Sequence, residues 1–170
     1  DEVRLKADGD IKKIQVGSKT QTVLESANGS IDAVEILDNG VVTARAAKDV
    51  DLHRTGDLTL STVYAADGDV TIDLKEGGLY AESREDSELG EDHYVHMQGN
   101  TITVTGAAAI EGTKEGASLV LKAQEGKVKM ETGTARLTLF GDVDQVESKI
   151  SANDLDLTVR GNVSNGTYEG

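Results

Sequence analysis

Apolar and polar residues alternate along most of the chain, with the period of two that is typical of half-buried β-strands. The alternation is clearest in the segments 57–61, 70–74, 101–105 and 155–159. No segment of comparable length repeats its apolar residues with the helical period, since the alanine-rich stretch 107–110 is short and lies near two glycines. The pattern therefore predicts an all-β protein.

The turns between these strands recur at a fixed interval. The tetrapeptide Ala-Asp-Gly-Asp occurs at 7–10 and again at 66–69, and related sequences occupy 27–30 and 47–49. The first apolar residues after the turns are separated by 20, 19 and 20 positions: Ile11, Ile31, Val50 and Val70. A repeat near twenty residues indicates coils that stack into a solenoid, with at least two strands in each coil.

The period fails once. The step from Val70 to Ile102 is 32 residues, about a dozen more than one coil, and steps of 18 residues then follow from Leu119. Solenoids accommodate such insertions as loops on one face, where they often carry specific interactions. We therefore predict that residues 1–170 form one domain, a single right-handed parallel β-helix of about 19–20 residues per coil with one inserted acidic loop at about 81–98.

The composition fits a narrow solenoid core. The chain has five aromatic residues and no Trp, Pro or Cys. So few large side chains favour a column of Val, Ile, Leu and Ala, with one layer per coil. The absence of Pro suits strands whose N–H groups are used in ladders, and the absence of Cys excludes a disulfide framework and a cysteine-based zinc site.

The net charge is −14, from 31 acidic and 17 basic residues. A general nucleic-acid binder needs a basic face that displaces counterions from phosphates, so we expect no nucleic-acid partner. Negative charge also disfavours docking on anionic membranes, and no apolar run approaches the roughly 18 residues that span a bilayer. The chain begins with Asp1, without an initiator Met or a signal peptide, from which we expect a segment of a longer protein.

The insertion concentrates acidic residues, with six acids and a single base between 81 and 97. Five of these acids are candidate ligands of a calcium ion: Glu85, Asp86, Glu88, Glu91 and Asp92. Calcium takes six to eight oxygen ligands in irregular geometry, but this spacing does not match an EF-hand loop. We favour the alternative of a solvated acidic loop, and we expect no other cofactor.

The three histidines are the remaining candidates for metal binding. His93 and His96 are three residues apart, a spacing that on a helix presents two imidazoles to a transition metal. In a loop that enters a strand, such residues point to opposite faces, so we interpret both as surface histidines. We interpret His53, which stands next to Arg54, as a turn residue.

The paired aspartates at the corners admit a chemical interpretation. Asp8 with Asp10, and Asp67 with Asp69, resemble the acid and base of a β-helical enzyme. However, Asp satisfies backbone groups in turns, and Gly supplies the positive φ that a corner needs. Since the same residues recur at successive corners, and since few aromatic residues are available to line a carbohydrate cleft, we predict no catalytic residues and no enzyme activity.

Three segments resemble the repeats of filamentous-haemagglutinin-type bacterial exoproteins: Ala-Ala-Asp-Gly-Asp-Val-Thr-Ile at 65–72, Thr-Gly-Asp-Leu-Thr-Leu at 55–60 and Ser-Ala-Asn-Asp-Leu-Asp-Leu at 151–157. Members of this family are very large surface or secreted proteins, many exported by two-partner secretion, with right-handed parallel β-helical shafts. The resemblance covers most of the chain outside 81–98 and implies a shaft segment. It carries over no binding residue, and the family's amino-terminal secretion domain has no counterpart here.

The sequence therefore predicts a rod segment of a bacterial extracellular adhesin or surface filament, located outside the cell or on its surface. Its expected partners are neighbouring coils or copies of itself, through uncapped ends, and a receptor on a host or other cell surface. A first alternative is a subunit that stacks end to end into an extracellular fibre or layer. A second alternative is a β-helical polysaccharide-degrading enzyme, which would need a carboxylate cluster above a groove.

Overall fold

The structure is a computed structural model that describes residues 1–83, 94–141 and 143–170. In these residues all the regular elements are β-strands, and no helix capable of crossing a membrane is found among them. The strands are β1 (Glu2–Ala7), β2 (Ile11–Lys12), β3 (Gln15–Val16), β4 (Gln21–Ser26), β5 (Ile31–Ile36), β6 (Val41–Ala46), β7 (Val50–Thr55), β8 (Leu58–Ala65), β9 (Val70–Ala81), β10 (Met97–Gly112), β11 (Leu119–Phe140), β12 (Val143–Arg160) and β13 (Val163–Glu169).

These strands pair in parallel and form two ladders along the stack. In the first ladder β1, β4, β6 and β8 follow one another, and the end of β9 and the start of β10 both pair with β8. In the second ladder β2 and β3 pair with β5, which is followed by β7, β9 and β10. The long strands β10, β11, β12 and the final β13 extend the stack. The result is a β-solenoid of about eight turns, which confirms the predicted parallel β-helix.

The register stacks the first apolar residues of successive coils. Ile11 pairs with Ile31, and Ile31 pairs with Val50. Val50 pairs with Val70, and Val70 pairs with Ile102 across the insertion. All five side chains are buried, so the predicted steps are confirmed. The same register stacks a second buried column: Val34, Leu52, Ile72, Val104, Met130 and Ile150.

The core is aliphatic, as the composition predicts. The buried hydrophobic side chains of the described residues are Ile, Leu, Val, Ala and Met, and none is aromatic. Strand β6 shows how alternation builds the wall, because Val42, Ala44 and Ala46 point inward while Thr43 and Arg45 point outward. Full burial of a Val, Leu or Ile side chain contributes about 1.5–3 kcal/mol, so each coil adds its own layer of stabilisation.

The predicted steps of 18 residues that start at Leu119 are wrong. Ala135 pairs with Ile110 on one side and with Leu155 on the other, which gives steps of 25 and 20 residues. The turn at 113–118 separates β10 from β11 and lengthens this coil. Because of this turn, Leu119, Leu137 and Leu155 lie at different positions within their coils, although apolar and polar residues alternate in the same phase at all three.

Polar side chains at one corner form a hydrogen-bonded ladder through five coils. Asp10 Oδ1 accepts from the Ser30 N–H at 2.8 Å, and Ser30 Oγ accepts from the Asp49 N–H at 3.2 Å. Asp49 Oδ1 in turn accepts from the Asp69 N–H at 2.9 Å, and Asp69 Oδ1 from the Thr101 N–H at 3.1 Å. The prediction that corner aspartates satisfy backbone groups is therefore confirmed for Asp10, Asp49 and Asp69, and each of these three contacts the backbone of the next coil.

The corner glycines have a different role from the one predicted. Gly29 and Gly68 do not adopt positive φ, so conformational freedom is not why they are needed. A Cβ on Gly29 would lie 2.1 Å from Asp10 Oδ1, and one on Gly68 would lie 2.6 Å from the carbonyl carbon of Lys48. Glycine is required because the corner of the preceding coil approaches closely.

Candidate functional site

The insertion leaves the solenoid from the middle of a strand of the first ladder. Leu60 of β8 pairs with Ala81 at the end of β9, whereas Val63 of β8 pairs with Met97 at the start of β10. The two halves of one strand are thus separate in sequence but share a partner. The two residues of β8 between these pairs lie where the insertion departs from the wall and returns to it.

Those two residues, Ser61 and Thr62, hold the returning end of the insertion through Tyr94. The Tyr94 hydroxyl donates to the Ser61 carbonyl oxygen. It lies 2.9 Å from Thr62 Oγ1 and 3.2 Å from Ser61 Oγ, so both side-chain hydroxyls can donate to it. Ser61 is the extra residue of a bulge, because β6 and β8 pair as Val42 with Leu60 and then as Thr43 with Thr62. The bulge thus places these hydroxyls at the break in the strand.

His96 closes the base of the insertion. Its ring is buried, and its Nδ1 accepts a hydrogen bond from the Val120 N–H at 3.0 Å. Because Nδ1 is an acceptor, the ring proton of the neutral imidazole is on Nε2, which donates to the Glu82 carbonyl oxygen at 3.0 Å. Glu82 directly follows β9 and His96 directly precedes β10, so one side chain ties both ends together. The prediction of a surface histidine at this position is wrong.

We call Ser61, Thr62, Glu82, Tyr94 and His96 the neck. The rings of Tyr94 and His96 meet edge to face, with centroids 4.8 Å apart and planes at 79°. Aromatic pairs of this geometry stabilise beyond the area that they bury. The neck is therefore a fixed support for whatever lies between its two ends.

The candidate calcium ligands Glu85, Asp86, Glu88, Glu91 and Asp92 lie outside the described residues, as does His93. Both ring nitrogens of His96 contact backbone groups, so this side chain is not arranged as a metal ligand. In the part of the chain that the structure describes, no three or more His, Cys, Asp or Glu side chains are grouped to hold a metal ion.

His53 is a strand residue, and its prediction as a turn residue is wrong. It lies on the outer face of β7, where Nε2 is 3.0 Å from Asp51 Oδ1 and Nδ1 is 3.4 Å from Asp73 Oδ2 in the next coil. Thr105 Oγ1 donates to the other oxygen of Asp73 at 2.8 Å. Partial burial by itself lowers the pKa of His53, but the two facing carboxylates outweigh it and raise the pKa above the ordinary value.

The raised pKa of His53 predicts a pH-dependent contribution to stability. The folded state holds the proton more tightly than the unfolded chain, so the contribution is complete below the ordinary histidine pKa and is lost as the pH rises through the folded value. In thermal melts, the wild type should exceed a His53→Gln variant by more at about pH 5 than at about pH 8. A difference between the two melting temperatures that is constant or grows with pH would contradict the ion pair.

A shallow groove lies next to the neck on the outer face of the first ladder. It has a volume of about 300 Å³, and its lining includes Arg45, Thr62, Tyr64, Tyr94 and Gln98. Tyr64 and Tyr94 are thirty positions apart in the chain. The break in the strand brings Tyr94 back beside the coil that carries Tyr64. Sequence reasoning missed this juxtaposition, because it used only the number of aromatic residues and not their positions in the coils.

Comparisons with protein families, with curated proteins and with solved structures each return no match. The resemblance to filamentous-haemagglutinin-type shafts therefore stays a prediction.

Proposed function

We propose that this chain is a non-catalytic rod segment of a bacterial extracellular adhesin or surface filament, which carries its insertion sideways for contact with a receptor. The observation that carries the proposal is the neck. An insertion that leaves through the middle of a strand is fixed at both ends by hydrogen bonds of Tyr94 and His96 to the wall. Such a support suits presentation, since it fixes a lateral segment on a stiff body.

The two ladders supply the stiffness. Both continue past the insertion, because β8 pairs with β9 before the break and with β10 after it, while β9 pairs with β10 in the second ladder. The core columns and the corner ladder also run through this region. Each inner coil is therefore held by its neighbours on both sides, and the rod continues across the insertion.

The proposal predicts that the insertion can be replaced without loss of the fold. In a variant with residues 84–93 exchanged for a short Gly-Ser linker, we expect a thermal midpoint close to that of the wild type. Beads coated with this variant should lose adherence to epithelial cells that bind wild-type beads. The matched control exchanges residues 114–117, in the turn between β10 and β11, and should keep adherence. Unchanged adherence after replacement of 84–93 would contradict a presenting role.

End-to-end stacking is a second candidate, favoured by apolar side chains on the outermost strands. Leu5 of β1 is 37% exposed and Val163 of β13 is 52% exposed. Each of these strands pairs on one side only among the described residues, and such open edges template further pairing. Negative-stain images at several concentrations distinguish the two functions, because filaments that lengthen with concentration indicate a polymerising subunit and rods of fixed length indicate a segment.

A further inference from the structure

One outward column of side chains crosses the first five coils of the first ladder. The pairing register aligns Lys6 with Glu25, Glu25 with Arg45, Arg45 with Tyr64, and Tyr64 with Gln98. Neighbouring members are about 4.8 Å apart along the rod, the spacing of paired strands. The column therefore offers a straight row of different polar and aromatic groups parallel to the rod axis.

Arg45 is the charged member of this row that has no ion pair among the described residues. Lys6 Nζ lies 3.6 Å from Glu25 Oε2, so the nearest acid of the column already has a partner. Arg45 has no ion pair within 4.0 Å among the residues that the structure describes, and its other neighbour is Tyr64. Although the net charge of the chain is −14, this exposed guanidinium is free of a carboxylate among the described residues, so it can bind an external anion through two parallel hydrogen bonds.

The row lies in an elongated depression. The groove of about 300 Å³ beside the neck shares Arg45 and Tyr64 with a second groove of about 830 Å³. The second groove follows the coil corner past Ala47 and Ala27 to Lys6. Arg45 and Tyr64 therefore lie at the centre of a depression that accommodates an extended ligand.

The floor of the depression distinguishes between classes of extended ligand. Strands β4, β6 and β8 are paired on both sides, so their backbone groups are already used in the ladder. Addition of an extended peptide as a further strand needs a free sheet edge, and these three strands offer none. A nucleic acid needs several basic side chains along its phosphates, whereas this row offers a single Arg without an ion pair among the described residues. A polysaccharide needs only side-chain partners, which this row supplies.

We propose that the depression binds a carboxylate-bearing polysaccharide along the rod axis, an inference that rests on the proposed presenting function and names the class of its partner. The Arg45 guanidinium holds a uronate carboxylate with two parallel hydrogen bonds. The Tyr64 ring packs against the apolar face of a sugar, and Gln98 and Thr62 bond to hydroxyl groups. The scarcity of aromatic residues in the chain is no obstacle, because two of the five lie in one groove.

Calorimetric titration of the full chain with an oligouronate, and with a neutral oligosaccharide of equal length, tests the proposal. We expect binding of the oligouronate only. Arg45→Gln should weaken it by about tenfold or more, as expected for loss of a charge-assisted pair, and Arg45→Lys by less. The matched control is Lys129→Gln, which removes an exposed positive charge from the second ladder and should change the affinity less than about twofold.

Four binding results overturn the inference. Equal affinity for the neutral sugar would show that the carboxylate has no role in binding. Equal affinity for polyglutamate would show that the site binds any polyanion through its charge alone. Absence of binding, or an Arg45→Gln variant that binds like the wild type, excludes the groove, while the adherence test of the insertion still decides the presenting function. Release of new reducing ends from the oligouronate contradicts the non-catalytic function but leaves the assignment of the groove standing.

Discussion

Gly68→Ala is expected to destabilise the solenoid by about 1–3 kcal/mol, the usual cost of overpacking. The added methyl group would lie 2.4 Å from Asp49 Oδ1 and 2.6 Å from the carbonyl carbon of Lys48. Asp49 Oδ1 is also the acceptor of the Asp69 N–H, so the methyl group disturbs one step of the corner ladder as well as the backbone. The free energy of unfolding, measured by urea titration followed by circular dichroism, gives the loss directly.

The chain supplies its own control, because the same tetrapeptide Ala-Asp-Gly-Asp occurs in the first coil. No atom lies within 4 Å of a Cβ placed on Gly9, since no described coil precedes it. Gly9→Ala should therefore change the stability by less than about 0.5 kcal/mol. If both variants lose the same stability, the corner glycines act through backbone freedom, and the close approach of the coils is not the reason for glycine.

The comparison of Gly9 with Gly68 shows which part of the fold the sequence determines. Equal local sequence produces equal corners, so the positions of Ile11, Ile31 and Val50 were sufficient to predict the register of the early coils. What a corner residue contacts depends on the coil beneath it. That information lies about twenty residues away, so the role of the glycine was predicted wrongly although its location was predicted correctly.

In the later coils, the periodicity of the sequence does not predict the pairing register of the strands. Alternation has a period of two and reports which face a residue occupies, but it does not report which part of the coil the residue belongs to. An extra turn at 113–118 preserves the alternation while shifting the register, so Ala135 pairs 25 residues back with Ile110. Only the pairing of the strands reveals such a shift.

The candidate site could be located but not described from the sequence. The break in the repeat pointed to residues 81–98, and the residues that fix its ends lie at that break. The partners of Tyr94, however, are Ser61 and Thr62 on a strand more than thirty residues earlier. A histidine next to an acidic loop is predicted from the sequence to be exposed. His96 is instead buried, because its backbone is hydrogen-bonded to Val63 on one side and to Val120 on the other.

The buried position of His96 gives the second large expected effect. His96→Ala removes both partners of the ring at once, leaving the Val120 N–H and the Glu82 carbonyl without them. A buried polar group that loses its partner costs about 1–3 kcal/mol, so the urea titration should show a loss of about 2 kcal/mol or more. Hydrogen exchange should also accelerate at the Val120 amide, while the Val50 amide, two coils from His96, keeps its protection.

His96→Asn separates the two contacts of the ring. Its side-chain amide oxygen can take the place of Nδ1 and accept from the Val120 N–H, but the shorter side chain does not reach the Glu82 carbonyl. We therefore expect a stability between those of the wild type and His96→Ala, with protection restored at the Val120 amide. If Asn is no better than Ala, the ring stabilises the neck by packing against Tyr94 and not by its hydrogen bonds. If neither variant loses stability, the neck does not hold the insertion, and the proposed presenting function loses its structural basis.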